Sequence, residues 1–432
     1  MKILIISTHF PPMNSVGALR PYSFAKRWSQ IGHDVTVLTV SRYEIELGLD
    51  FDCSPFRVIS VPLPYLYRIF AKKIRKNGKY TFISKNKTNK NKYRKSILYW
   101  FDKFRSKTGI LKDQRMPSHL DPWYFSAYPL VSKEKWDLVL STYSPYVAHL
   151  IGYRLKKRKK TRFWIADYRD LWTVSHMFTG IWPLRLIEKR LENKIINVAD
   201  QVTTVSAPLA DCLIDTFKIK NVAVVENGFD KDDLKKLPLK EIFYGKKIRI
   251  VYTGSIYPFF QDLSPFFRAM SRIKNSKNSF LLTDLEIIFA GNNEKTVFGL
   301  AKENEVDEFV RCLGKVCRTE ALRMQRDAHV LLFLGGDNLQ DKGIVTGKLF
   351  EYINSGTEIW GVGVTEKSTA GKLILDSECG NVFGSDVLRL EEKLIELLQR
   401  KTKHKIIGKS NIINNYDRSK LADRMLSLIE LG

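Results

Sequence analysis

Apolar residues fall in short blocks along this chain, and the spacing inside the blocks alternates between strand and helix. Ile3-Leu4-Ile5-Ile6, set between Lys2 and Ser7, is too short for a helix and predicts a buried parallel strand over residues 2–7. Pro11, Pro12 and the run Asn14-Ser15-Val16-Gly17 keep the next stretch in a loop. Over residues 18–30 the apolar positions Leu19, Tyr22, Phe24, Ala25 and Trp28 fit a helix packed on a sheet, and Gly32 is placed to end it. Residues 34–40 read as a second strand. A strand, loop, helix and strand joined by short connections begin a doubly wound sheet.

The alternation continues. Strands are predicted over residues 136–141, 162–167, 201–205 and 222–225, with helices over 144–155 and from Ala207. Residues 230–245 are polar, lack an apolar period and read as a linker. A second series follows, with strands over 247–252, 285–290, 310–313, 330–334 and 358–364. Its helices are predicted over 264–273 and 346–355, the latter closed by Gly356. The fold class is therefore α/β, with two sheets in tandem. Length and composition agree, because 432 residues exceed one ordinary core and 44% hydrophobic residues can fill two. The expected division is a first domain over 1–235, a second over 236–415, and a C-terminal helix over 416–432 that can cross back to the first domain.

Charge adds a local feature. The net charge is +25, and residues 68–115 hold 17 Lys or Arg against two acids, Asp102 and Asp113. The run from Arg154 to Arg162 adds seven bases and no acid, so these two stretches account for 22 of the excess charges. Aromatic and aliphatic residues such as Ile69-Phe70, Trp100-Phe101 and Phe104 interleave with the first stretch, as suits an anionic bilayer surface. A solvated lysine-rich loop and a nucleic-acid surface are the competing readings, nucleic acid the least favoured. The opening apolar run is shorter than a secretory core, and no stretch approaches the ~18 apolar residues of a transmembrane helix, so the expectation is a cytoplasmic protein, peripheral on the inner face of the plasma membrane. Five cysteines without zinc-ligand spacing suit a reducing compartment and give no metal site.

Doubly wound sheets bind ligands at the carboxyl ends of their strands. No G-x-G-x-x-G follows an early strand; Gly361-Val362-Gly363 lacks the third glycine, and residues 343–348 are one residue short of a P-loop. The helix expected from Thr346 is still informative. Its first amides are unpaired and carry the positive end of the helix dipole, Lys348 adds a full charge there, and Glu351 lies on the same face. A lysine for a diphosphate and a carboxylate for ribose hydroxyls would form a nucleotide clamp; a surface Lys–Glu pair is the plainer alternative.

The assembled pieces resemble a family-4 glycosyltransferase of the GT-B fold, in the branch similar to bacterial surface-polysaccharide enzymes. They are residues 2–6 through His9 to Pro12 and Gly17, Gly32 to Thr39, Ile165-Ala166-Asp167-Tyr168-Arg169-Asp170-Leu171-Trp172, Glu226-Asn227-Gly228-Phe229-Asp230, Tyr252-Thr253-Gly254-Ser255 and Gly347-Lys348-Leu349-Phe350-Glu351-Tyr352. The resemblance implies two Rossmann-like domains facing each other across a cleft, the one over 1–235 acceptor-binding and the one over 236–415 nucleotide-sugar-binding. It implies transfer from a nucleotide-sugar, UDP-linked ahead of GDP-linked, to a saccharide acceptor, lipid-linked given the local charge. Retention and no metal or other cofactor are also implied. Without a metal, protein groups must meet the charge that grows on the leaving diphosphate. Lys348, Thr346, Gly347, Leu349, Gly254, Ser255 and Gly17 are the candidates, with Glu351 for ribose, Gly314 and Val316 for the base, and Asn227 at the end of the first domain. Asp167, Arg169 and Asp170 would orient an acceptor hydroxyl or take its proton, or else form a buried bridge that steadies the loop. His9 and His119 are further acceptor-side candidates. Many members carry two glutamates with seven residues between them; here the first position is Gly343, so only the ribose contact carries over. The alternatives are a sugar-nucleotide epimerase with the same two sheets, and a non-enzymatic basic protein binding membrane or nucleic acid.

Overall fold

A computed structural model describes the chain except residues 42–47, 50, 65–99, 101–103, 106, 112, 176–177, 221, 258–260, 336–342, 344, 401–405, 407 and 431–432. Most of the basic stretch over 68–115 thus lies outside the described residues. The chain divides into two compact units, one of Met1–Val225 with Ala422–Gly432 and the other of Glu226–Leu421.

In the first unit the strands are β1 (Lys2–Ile6), β2 (Asp34–Val40), β3 (Arg57–Val61), β4 (Trp136–Tyr143), β5 (Thr161–Tyr168), β6 (Gln201–Thr204) and β7 (Val222–Val224). They pair in the order β3-β2-β1-β4-β5-β6-β7, all parallel. The helices are α1 (Val16–Gln30), α2 (Trp123–Val131), α3 (Val147–Lys157), α4 (Leu184–Ile196) and α5 (Ala207–Phe217). β1 lies inside the sheet between β2 and β4, and its residues Ile3 to Ile6 are apolar and buried, as a strand covered on both faces requires. α1 buries Leu19, Tyr22, Phe24, Ala25 and Trp28, and the chain leaves it at Gly32 with φ +90°, a left-handed turn that favours glycine. The final helix, which starts at Arg418, caps this unit's α1. Arg27 pairs with Asp423 at 2.8 Å, and Trp28 Nε1 donates to Ala422 O at 2.9 Å.

Three elements of this unit were not anticipated: α2, β3 and α4. β3 is an edge strand with only Val61 buried, so it shows no continuous apolar run. α4 buries Ile195 and Ile196 at its end, but its first turns are inside out for a surface helix. Glu188 and Glu192 are fully buried, while Leu186 and Ile187 face solvent. Arg115 Nη2 pairs with Glu188 Oε2 at 2.9 Å. The Glu188 carboxylate also accepts from Met116 N at 2.6 Å and Trp172 Nε1 at 3.3 Å. Glu192 accepts from the Thr173 amide at 3.0 Å and from the Thr173 hydroxyl. Burial pushes the Glu192 carboxyl up to about 7, against the Thr173 hydrogen bonds. A carboxyl with a raised folded-state pKa binds its proton more tightly folded than unfolded, so its contribution to stability falls as pH rises from about 4.5 to 7. Glu192→Gln is therefore expected to raise the melting temperature relative to wild type at pH 8 and to leave it nearly unchanged at pH 5, as thermal unfolding at both pH values would measure.

The basic run from Arg154 to Arg162 sits at the end of α3 and the start of β5. Arg154, Lys156 and Lys157 occupy the last turn of α3, where cations complement the helix dipole, and Lys156 also pairs with Asp200. This part of the charge lies at the amino end of β5, opposite the strand ends that carry ligands in such sheets.

The second unit has strands β8 (Ile248–Thr253), β9 (Leu285–Ala290), β10 (Val310–Gly314), β11 (Val330–Leu334), β12 (Glu358–Val362) and β13 (Gly380–Gly384). Their order is β10-β9-β8-β11-β12-β13, again all parallel. The helices are α6 (Asp232–Lys235), α7 (Ser264–Lys274), α8 (Glu294–Glu303), α9 (Arg318–Asp327), α10 (Gly347–Ser355), α11 (Thr369–Asp376), α12 (Val387–Arg400) and α13 (Ser410–Ile413), and the final helix, α14 (Arg418–Ser427), starts here and passes into the first unit at Ala422. β13 escaped the sequence pattern because only Val382 and Phe383 of its five residues are apolar and buried. The stretch expected to be a linker contains α6, and Asp233 within it is an interior ion-pair partner.

Candidate functional site

The order of the second sheet reverses at β8, with β9 and β10 on one side and β11 to β13 on the other. The carboxyl end of β8 is thus a topological switch point, where open α/β sheets hold ligands. β8 ends at Thr253, whose amide donates to the Tyr352 hydroxyl at 2.9 Å and whose hydroxyl accepts from Gln325 Nε2 at 2.9 Å. These bonds tie α10 and α9 to the end of β8. Gly254 follows with φ +108°. Its amide donates to Ala290 O at 2.7 Å, and its carbonyl accepts from Asn293 Nδ2 at 2.5 Å. The turn through Ser255 is pinned further by Ile256 N on Asn293 Oδ1 at 2.7 Å. Ser255 itself is exposed.

α10 begins beside this turn. Thr346 is its extended, exposed cap residue and makes no side-chain cap bond. Lys348, in the first turn, lays its side chain across Gly254. Its Nζ lies 3.7 Å from the centre of the Tyr252 ring, and a Cβ on Gly254 would stand 2.9 Å from Lys348 Cε. Burial pulls the Lys348 ammonium down to about 7, although Glu351 opposes the shift. Gly254, Thr346, Gly347 and Lys348 are therefore brought together, as the sequence suggested. Leu349 is not part of that group. Its side chain is fully buried in the core and its amide bonds Thr346 O at 3.1 Å, which corrects the expectation of a substrate contact from it.

Glu351 is not a simple surface partner of Lys348. Its carboxylate is gripped by the Arg318 guanidinium, which also holds Asp233 Oδ2 at 2.5 Å. Burial alone would raise the Glu351 pKa, but Arg318 outweighs it and keeps the group ionised. Arg418, 6% exposed, adds a second positive charge in the same interior cluster. Arg318, Asp233 and Arg418 were missed. The available signal was Glu351 itself, since a carboxylate aimed at a ligand needs a cation to keep it charged. Gly314 ends β10 with φ +68°, and Val316, half-buried, packs on the core next to α10. The short turn from Gly314 delivers Arg318 to Glu351. Asn227 is half-buried beside Gly228, which packs against the Tyr416 carbonyl. Asp230 and Asp232, the Asp-x-Asp pair, are used locally at the start of α6, with Asp230 Oδ1 accepting from Asp232 N at 2.9 Å. Gly343 is buried, but residues 336–342 and 344 around it are not described.

The first sheet reverses at β1, between β2 and β4. There His9, Gly17 and Arg169 meet. Arg169 donates to Gly17 O at 2.8 Å and to Tyr143 O at 3.0 Å, and His9 Nδ1 lies 3.2 Å from Ser15 Oγ. His9 Nε2 and His119 Nδ1 both approach Asp113, at 3.5 and 3.3 Å. Asp170 is exposed. Asp167, expected to be catalytic, is 1% exposed and accepts four hydrogen bonds: two from Arg20, at 2.9 and 3.1 Å, one from Thr142 at 3.1 Å and one from Thr203 at 2.9 Å. All four lone-pair sites are filled, and Arg20 outweighs burial to hold the carboxyl below its usual range. Asp167 is a buried bridge, and its partner is Arg20, not Arg169. Among the described residues no group of three or more His, Cys, Asp or Glu could hold a metal ion.

Comparison with known proteins places this geometry. Residues 82–233 match Glycosyltransferase Family 4. The whole chain superposes on a sucrose-phosphate synthase from Thermosynechococcus elongatus (TM-score 0.60, 14% identity, 99% of this chain and 98% of that one). It also superposes on the lipopolysaccharide outer core galactosyltransferase WaaB in its apo form (0.53, 12%, 99% and 99%). A third likeness is to S. aureus MnaA solved with UDP (0.50, 13%, 100% and 96%). No curated protein sequence matches the chain. Structural likeness at these identities establishes the GT-B fold, and the family match, confined to residues 82–233, adds the chemistry: the chain is a glycosyltransferase of the GT-B fold with a segment similar to Glycosyltransferase Family 4.

Proposed function

We propose that this glycosyltransferase takes a sugar from a nucleotide-sugar, UDP-linked ahead of GDP-linked, and transfers it with retention to a lipid-linked saccharide in the assembly of bacterial surface polysaccharide. The observation that carries the reading is Lys348, laid over Gly254 at the start of α10 and at the switch point of the second sheet. A diphosphate placed there would meet the α10 amino end and a full positive charge, and the charge growing on it as the glycosidic bond breaks would be stabilised without a metal. Glu351, kept ionised by Arg318, would accept from the ribose hydroxyls. On the first unit, His9, Arg169 and Asp170 stand at the strand ends for the acceptor, with Asp170 the accessible carboxylate. UDP in the MnaA structure, and the likeness to WaaB, a lipopolysaccharide outer core galactosyltransferase, support the donor and acceptor classes.

No helix among the described residues is long and apolar enough to cross a membrane. The acceptor therefore implies a peripheral enzyme that works at the inner leaflet, to which the basic stretch over 68–115 would be drawn. The test is a panel of UDP- and GDP-sugars incubated with and without lipid-linked acceptor. Transfer only in the presence of acceptor is expected, from a UDP-sugar. Conversion of the donor sugar without acceptor would overturn the reading in favour of an epimerase.

A further inference from the structure

The inverted polarity of α4 leaves an apolar surface on the first unit. Trp182 is 79% exposed, Ile187 51% and Leu186 48%, all at the start of that helix. A second segment is hydrogen-bonded to the residues just before them. Thr179 N donates to Lys107 O at 3.2 Å and Gly180 N to Thr108 O at 3.1 Å, and the Thr108 hydroxyl bonds Phe104 O at 2.8 Å. Trp100 and Phe104 on that segment are 60% and 47% exposed. Gly180 also lets the Arg115 guanidinium pass where a Cβ would stand 2.2 Å from its Nη2, so the buried Arg115–Glu188 pair fixes both segments from beneath. Isolated exposed apolar residues need no explanation, but five large ones on two bonded segments do.

The charges around this surface have one sign. Lys107, Arg185, Lys189 and Arg190 are exposed, whereas Glu188 and Glu192, the only acids between residues 179 and 194, are turned fully inward. We infer that Trp182, Leu186 and Ile187, with Trp100 and Phe104, form the face by which the protein docks on an anionic bilayer leaflet. Tryptophan and aliphatic side chains would enter the headgroup boundary, and the bases would meet lipid phosphates. A second copy fits the face poorly, because a two-fold contact would bring Arg185, Lys189 and Arg190 against their own kind. The inference rests on the peripheral-membrane part of the proposed function and assigns the contact to a structured face, in addition to the basic stretch.

The test uses the full chain and vesicles of equal parts phosphatidylglycerol and phosphatidylcholine, with phosphatidylcholine alone as control. Substituting Trp182→Ser, Leu186→Ser and Ile187→Ser together is expected to weaken vesicle binding at least ~30-fold while UDP binding and the melting temperature stay at wild-type values. Trp182→Phe should retain binding. Reversing Arg185, Lys189 and Arg190 to Glu should abolish the preference for phosphatidylglycerol. Equal binding by wild type and the triple serine variant overturns this inference alone. Wild-type protein that ignores anionic vesicles removes the membrane part of the proposed function as well. A wild-type dimer that the serine variant dissociates would give the face to a second copy and overturn the inference too.

Discussion

Lys348→Ala is expected to lower transfer from the nucleotide-sugar by about 100- to 1,000-fold, the range found when one preorganised group that stabilises leaving-group charge is removed. The side chain crosses Gly254 against the Tyr252 ring, so its ammonium is half-buried at the end of β8. Burial lowers its pKa to about 7, from an unfolded value of 10.5. Bound diphosphate restores the charge. UDP binding at pH 8 should therefore take up a proton, and affinity should fall by up to about tenfold per pH unit above 7 while staying flat below it. Calorimetry in buffers of different ionisation enthalpy measures the uptake directly, and Lys348→Ala should abolish it. The sign for stability runs the other way. Because the folded-state pKa is depressed, the unfolded chain holds more protons between about 7 and 10.5, and this group makes the free protein more stable as pH rises through that window. At pH 6 the alanine variant should lose activity without losing melting temperature. A variant that kept the wild-type rate, or one that lost the rate by unfolding, would remove Lys348 from the donor site.

The second large effect is expected at Arg318. Its guanidinium joins Asp233 to Glu351, all three at most 15% exposed in their side chains. Arg318→Ala strands two interior carboxylates, and breaking a buried ion pair from one side costs about 3–5 kcal/mol. Urea unfolding should report that loss. Arg318→Lys should recover little of it, since one ammonium cannot span two carboxylates as the planar fork does. Combining Arg318→Met with Asp233→Leu and Glu351→Gln should recover most of the stability and none of the UDP affinity. That contrast separates holding the fold from holding the nucleotide. Unchanged unfolding in Arg318→Ala would show that the bridge contributes nothing.

Much of the architecture was legible because parallel strands covered on both faces announce themselves. β11 is a continuous apolar run, β1 is one from Ile3 and β9 from Ile287, and Gly32 and Gly356 mark helix ends by the left-handed turn each makes. β3, β13 and α4 stayed hidden for the opposite reason. The strands lie at sheet edges with few buried side chains, and α4 presents its glutamates to the core. The position of Lys348 beside Gly254 followed from the order of pieces along the chain. The partner of Glu351 did not, because Arg318 arrives from a turn 33 residues earlier and Asp233 from a stretch that looked like solvent-exposed linker. Asp167 shows the same limit. Arg20 lies 147 residues away, so a motif that held both an acid and an arginine suggested the wrong pair. Periodicity reports local structure, and ion pairing at long range leaves no period.

The first unit is discontinuous in sequence, and this bears on how the chain matures. Trp28 and Arg27 find their partners at Ala422 and Asp423, after the whole of residues 226–421. At roughly 5–20 residues per second a ribosome needs on the order of 10–40 s to make that stretch. During this interval the indole of Trp28 and one side of α1 wait uncovered, while the second unit has everything it needs to close. Vectorial synthesis would thus complete the later-made half first. The early-made half is where chaperone occupancy should concentrate, and a fragment ending at Val225 should be the less soluble of the two halves expressed alone.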